Sequence, residues 1–115
     1  MRTVDKGWGN ELIFADEKDY CGKLLNFKTG KKFSMHFHSI KDETWYVLSG
    51  KFKVNVIETN NAKSYSVELV KGNVWRNAPL VPHQVECLEE GSIVEVSTHD
   101  DPKDNYRVQP GDSQT

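Results

Sequence analysis

Two histidines separated by one residue, His36 and His38, are followed by Glu43 and, much later, by His83. Three imidazoles and one carboxylate form a donor set that suits divalent first-row metals: manganese, iron, nickel and zinc. Side chains at i and i+2 share one face of a β-strand, whereas on a helix they stand about 200° apart. His36 and His38 can therefore reach one ion together only from a strand. Four protein ligands leave coordination positions open, and an open position lets a metal polarise a substrate oxygen or activate water.

The elements that must carry these residues read as strands. Residues 51–56 and 65–70 alternate apolar and polar side chains strictly, the pattern of a strand with one buried face. Further short strands are predicted over 12–15, 23–27, 32–38, 44–48, 74–77, 84–88 and 92–98. Ser49-Gly50 reads as a tight hairpin between two of them, and Gly72, Pro79, Pro82 and Glu90-Gly91 punctuate the second half. No segment holds a 3.6-residue apolar period. So many short strands at regular spacing predict an all-β fold, an antiparallel barrel or jelly roll. Residues 1–100 are expected to form a single domain and residues 101–115 a loosely held polar tail.

Strand parity makes one more demand. If Ser34, His36 and His38 point inward, Phe33, Met35 and Phe37 point outward, and three large apolar residues do not stand in water together. Either the N-terminal segment crosses them or a second subunit does, so a homodimer packed on that face is expected.

Bulk properties narrow the partners. A chain of 115 residues supports one core. The formal charge of −2, with Lys and Glu interspersed, gives no basic stripe for nucleic acid. No apolar run approaches a membrane span, and the first residues lack a secretory signal, so a cytoplasmic location is expected. Cys21 and Cys87 are too few for a disulfide framework and read as buried thiols. His99 reads as a surface residue and Trp8 as a staple for the N-terminal strand.

Laid out in full, the first half carries Gly30, then His36-x-His38, Glu43 and Gly50, and the second half carries Gly72 and His83. This pattern resembles the two motifs of the cupin superfamily. Between the last two, Ala78, Leu80 and Cys87 stand where the family usually has Pro, Gly and Asn. The resemblance implies a small double-stranded β-helix with His36, His38, Glu43 and His83 converging on one divalent metal: zinc, manganese, iron or nickel.

A narrower resemblance flanks the motifs. Lys6-Gly7-Trp8-Gly9-Asn10-Glu11, Glu43-Thr44-Trp45 and Pro82-His83-Gln84-Val85-Glu86 are similar to the cupin domain of type II mannose-6-phosphate isomerases. The sequence departs from that domain in carrying His36 where Gln is common, Thr44 for His and Lys41 for Arg. The domain's aromatic-Gly-Arg ending is also absent. The resemblance implies aldose–ketose isomerisation of a sugar phosphate, a small-molecule substrate. Such a reaction needs a base to shuttle a proton and cations to hold a phosphate. Lys41, Glu86 and Glu95 are the candidates for the proton shuttle. Arg76 is a candidate anchor for the substrate's anion if its strand face points inward, and an exterior charge if it does not. Trp45, sharing parity with Glu43, is expected to line the pocket. The same ligand set also resembles non-haem iron dioxygenases of the cupin type, and a non-catalytic metal- or sugar-binding module is the third alternative.

Overall fold

The computed structural model describes residues 1–114. Strand β1 (Arg2–Lys6) pairs with β2 (Gly9–Asp16), and β2 pairs with β3 (Cys21–Phe27). The short β4 (Met35–Phe37) follows, then the long β5 (Glu43–Ile57), β6 (Ser64–Val70) and β7 (Val74–Asn77). The second long strand, β8 (His83–Ser97), and β9 (Tyr106–Gln109) complete the set. All pairings are antiparallel, and the hydrogen-bonded path runs β1-β2-β3-β8-β4-β9, with β5 joining β8 to β6 and β7. This is the all-β jelly-roll barrel that the strand pattern predicts. The helical content described is one 3-10 turn, Asp112–Gln114, and no helix among the described residues is long and apolar enough to cross a membrane.

The expected hairpin at Ser49-Gly50 is a bend instead, and so is the break at Glu90-Gly91. Ser49-Gly50 lies inside β5 and Glu90-Gly91 inside β8, each strand running 15 residues without reversing. The two strands pair along their whole length, and the register slips opposite these residues, between Val47 and Phe52. Gly50 has φ +83°, and a Cβ there would stand 2.8 Å from the Gly91 Cα. A Cβ on Gly91 would in turn meet the Ser49 carbonyl oxygen at 2.1 Å. The glycines thus let two paired strands bend together at a barrel corner, the other structural use of a glycine inside a strand.

The core fills the barrel from this corner upward. Val47, Phe52, Val54, Val85, Cys87 and Ile93 have no solvent exposure, and Trp8 stacks on Phe27 at 4.4 Å between ring centroids. Phe33 joins them, 5.8 Å from Trp45 and 5.1 Å from the His36 ring. Both cysteines are buried and free, and His99 is exposed, its Nδ1 3.0 Å from the Glu17 carbonyl oxygen.

The parity reading of 33–37 needs correcting. The chain is irregular before β4, so Phe33 turns into the core beside Ser34 rather than outward. Phe37 stacks on Tyr106 of β9, at 5.1 Å and 17° between ring planes. Met35 is buried and pairs with Gln109. The face expected to need a second subunit is therefore covered by the chain's own C-terminal strand, and this ground for a homodimer falls away. The same observation corrects the expectation of a loose tail over 101–115. Its residues 106–109 form a strand, Asp112 Oδ2 accepts the Lys32 N–H at 2.7 Å, and Ser113 Oγ accepts the Gly7 N–H at 3.1 Å. Thr115, the last residue of that stretch, lies outside the described residues.

Candidate metal centre

The three histidines meet because β4 is wedged between β8 and β9. His36 sits directly opposite His83 across the β4–β8 ladder, and His38 follows on the same inward parity. Ring centroids lie 4.8 Å apart for His36 and His83, 5.0 Å for His36 and His38, and 5.8 Å for His38 and His83. One ligand atom from each ring falls within 4.8 Å of the others. Glu43, the first residue of β5, brings Oε1 to 2.9 Å from His83 Nε2. His83 and Glu43 are both almost fully buried.

Hydrogen bonding selects the nitrogen that faces the centre. His36 Nδ1 lies 2.8 Å from the Ser34 carbonyl oxygen, His83 Nδ1 lies 3.0 Å from that of Val81, and His38 Nδ1 bonds to that of Asp104. A carbonyl only accepts, so each Nδ1 carries the proton and each Nε2 presents its lone pair. Backbone carbonyls commonly fix metal-binding histidines in this way. Burial, with the neighbouring His83 and His38 rings, pushes His36 down to about 3, and burial lowers His38 as well. Both are held in the neutral form that binds a metal.

His83 Nε2 is buried and has no hydrogen-bond partner among the described residues, although a carboxylate oxygen stands beside it. A lone pair facing a carboxylate at that distance calls for a cation between them, either a second proton or a metal ion. Burial pushes the Glu43 carboxyl up, but His83 and Lys41 outweigh it and hold it well below the usual carboxylate range. His36, His38, Glu43 and His83 thus fit a divalent metal in donor type, protonation and convergence.

A second layer of charge surrounds these four residues. Lys41 is buried with Nζ 3.0 Å from Glu95 Oε2, 3.1 Å from Asp100 Oδ1 and 3.6 Å from Glu43 Oε2. Asp100 also meets Lys23 Nζ at 3.2 Å, and Lys23 reaches Glu11 at 3.7 Å. The result is an alternating ladder of carboxylates and ammonium groups inside the barrel. Burial would lower Lys41, but Glu95, Glu43 and Asp100 outweigh it and raise it above the ordinary lysine value. Burial, then the Glu43 carboxylate, push Glu95 up to about 7. Asn77 completes the arrangement: it lies opposite Glu43 on β7, donates to Glu43 Oε1 at 3.2 Å and accepts from Trp75 Nε1 at 2.9 Å.

A cavity of about 310 Å³ opens above these groups, and Lys41 and Glu95 line it beside His36, His38 and Glu43. Of the other expected site residues, Trp45 points inward but is 1% exposed. It supports the floor, with Nε1 3.4 Å from Glu95 Oε1 and its ring 5.8 Å from that of His83, instead of lining the cavity. Arg76 and Glu86 are corrections. The Thr44–Arg76 pairing puts Arg76 on the outer face, where Nε and Nη2 hold both oxygens of Asp42 at 3.0 and 2.7 Å. Glu86 is also turned outward, opposite Lys53, whose Nζ lies 3.8 Å from its carboxylate. Neither reaches the cavity.

Residues that the motif reading passed over are Lys23, Asn77, Asp100 and Asp104. For Lys23 the signal was present: it lies between Cys21 and Leu25 on the buried parity of β3, an unusual place for a lone lysine.

Solved structures show the same architecture. KdgF from Halomonas sp. superposes with a TM-score of 0.70 at 18% identity over 82% of this chain and 81% of that one. Oxalate decarboxylase from Lactobacillus farciminis gives 0.80 at 15% identity, and the capsular polysaccharide assembling protein CapF from Staphylococcus aureus gives 0.80 at 21%. These two cover 93% and 94% of this chain, which spans 33% and 32% of theirs. No family model matches the sequence, and no curated protein matches it either. The fold is that of the cupins.

Proposed function

We propose that this chain is a metal-dependent cupin that interconverts an aldose and a ketose, with a sugar phosphate such as mannose 6-phosphate as substrate. The observation that carries the reading is the pair Lys41–Glu95, 3.0 Å apart in the cavity wall and in contact with the ligand Glu43. Isomerisation takes the proton from C2 of the aldose and returns one to C1, with no net oxidation and no co-reactant. A divalent ion held by His36, His38, Glu43 and His83 supplies a Lewis acid for the sugar's oxygens.

Glu95 is the base for the carbon-bound proton, because its carboxylate lines the cavity beside the ligand set. Lys41 holds that carboxylate in place and sets positive charge where oxygen charge develops. Trp45 and Ser97 anchor the Glu95 oxygens from below, each at 3.4 Å. Phe33 and Trp45 close the floor of the barrel against water.

The test is to load the protein separately with zinc, manganese, iron and nickel, supply mannose 6-phosphate and assay fructose 6-phosphate. Turnover with at least one metal, abolished in Glu95→Gln at unchanged metal content, is the expected result. Absence of product with all four overturns the isomerase. Substrate-dependent oxygen uptake by the iron form would put an oxygenase in its place, and saturable sugar binding without turnover would mark a binding module.

A further inference from the structure

The two ends of the sheet path, β1 and β9, meet across the mouth of the cavity. Gly7 follows β1 and packs so tightly against the turn after β9 that a Cβ would stand 2.0 Å from the Asp112 carbonyl oxygen. Each end brings cations to the mouth. Arg2, Val4 and Lys6 share one face of β1, and all three line the cavity. On β9, Arg107 lies directly opposite His36. Residues directly opposite in an antiparallel pair project to the same side with Cβ atoms about 4.5–5.5 Å apart. Arg107 therefore stands beside a metal ligand and lines the same cavity.

Arg2, Lys6 and Arg107 differ from the inner lysines in one respect. Lys23 and Lys41 are neutralised by the carboxylates of the buried ladder, whereas no ion pair or side-chain hydrogen bond engages the three rim cations among the described residues. Against them the rim sets Asp101, whose Oδ1 already accepts the Lys103 N–H at 3.0 Å. The inner groups set the carboxylates of Glu11, Glu43, Glu95 and Asp100 against Lys23 and Lys41, an excess of negative charge that a divalent ion would offset. The rim itself sets three cations against Asp101.

We infer that Arg2, Lys6 and Arg107 form an anion clamp at the mouth, which selects sugars carrying a negative group, a phosphate or a carboxylate, and directs their uncharged end to the metal ligands. This inference builds on the carbohydrate reading of the cavity but not on the isomerase reaction. Arg107 provides the planar fork that matches either anion, and Arg2 and Lys6 close on it from the opposite end of the sheet.

Calorimetric titration of the zinc-loaded protein with mannose 6-phosphate, glucuronate and mannose tests the clamp. At least one anionic sugar is expected to bind about tenfold or more tightly than mannose, the scale of one charge-assisted hydrogen bond. Which anion binds more tightly tells phosphate from carboxylate. The double variant Lys6→Gln/Arg107→Gln is expected to lose that preference, whereas Arg76→Gln, which removes an arginine from the outer face, keeps it. Unchanged thermal melting of the double variant separates lost recognition from lost fold. Equal binding of all three sugars, binding of none, or a preference that survives in the double variant overturns the clamp. Anion preference without fructose 6-phosphate formation sinks the isomerase and leaves the clamp. Isomerisation with an unchanged KM in the double variant does the reverse.

Discussion

Asp104 seats His38. Its backbone carbonyl accepts the His38 Nδ1 proton, while its carboxylate accepts Ser39 N–H and Oγ–H at 2.7 Å each, Ile40 N–H at 3.0 Å and Lys41 N–H at 2.9 Å. One residue from the C-terminal segment thereby fixes both a candidate metal ligand and the loop that carries Lys41. Burial pushes the Asp104 carboxyl up, but these donors outweigh it and hold it at about 2.

Replacing Asp104 with Ala removes the four carboxylate bonds and leaves the N–H of the buried Lys41 unsatisfied. A loss of roughly 2–4 kcal/mol in unfolding free energy is expected, read from the denaturant midpoint. Metal affinity, measured by competition with a chelator, should drop about 10–100-fold, as when other supports of metal ligands are removed. Asp104→Asn, which keeps one acceptor oxygen, should fall between.

Metal itself should stabilise the fold. The orphaned Nε2 of His83 beside the Glu43 carboxylate is relieved when a cation binds, and an ion that binds only the folded state adds about 2.7 kcal/mol at a hundredfold excess over its Kd. Adding zinc to chelator-stripped protein should raise Tm by several degrees. In His83→Ala the shift should vanish and metal content, measured by mass spectrometry, should approach zero.

The ladder through Asp100 predicts a pH signature. Burial raises the Asp100 carboxyl, but Lys41 and Lys23 outweigh it and lower its folded pKa below the usual value of about 3.9. A depressed folded pKa contributes stability above the unfolded value, and that contribution is lost as pH falls through the folded one. Asp100→Asn should therefore be less stable than the wild type by about 2 kcal/mol at pH 7. This is below the usual cost of breaking a buried pair, because Lys23 keeps Glu11 and Lys41 keeps Glu95. The gap should close progressively below about pH 4. Parallel denaturation curves at pH 7 and pH 3 would contradict this account.

Arg76 and Glu86 supply the contrasting case. Both lie on the outer face, so Arg76→Gln and Glu86→Gln should leave metal content, turnover and sugar affinity unchanged within error. A loss of turnover in either would mean that the outer face of β7 or β8 takes part in the chemistry.

The candidate metal ligands could be picked out in the sequence because His36 and His38 share a face by strand parity, and the spacing of Glu43 and His83 completes a pattern that resembles the cupin motifs. Lys41 was a candidate only because it stands where the resembled family has Arg, and Glu95 because it is an acidic residue on the strand that resembles the family's closing one. What escaped depends on contacts between distant segments. The Asp104 bond to His38 spans 66 residues and the Asn77 bond to Glu43 spans 34. Arg76 stayed open between anchor and exterior charge because parity along β7 names two faces without saying which is inner; its pairing with Thr44, beside the inward Glu43, decides for the exterior. Ser49-Gly50 and Glu90-Gly91 carry the same residues as a hairpin turn, and only their mutual contact makes them a corner.

The closure of the cavity mouth by both chain ends has a practical side. Met1 is 94% exposed and adjoins Arg2, and Gln114, near the other end, lines the same opening. A purification tag or fusion partner joined at either end would leave from the lip of the cavity. Its own acidic or histidine side chains would then compete for the cations and for the metal. Sugar-binding and metal-content measurements should therefore be made on protein from which such additions have been cleaved.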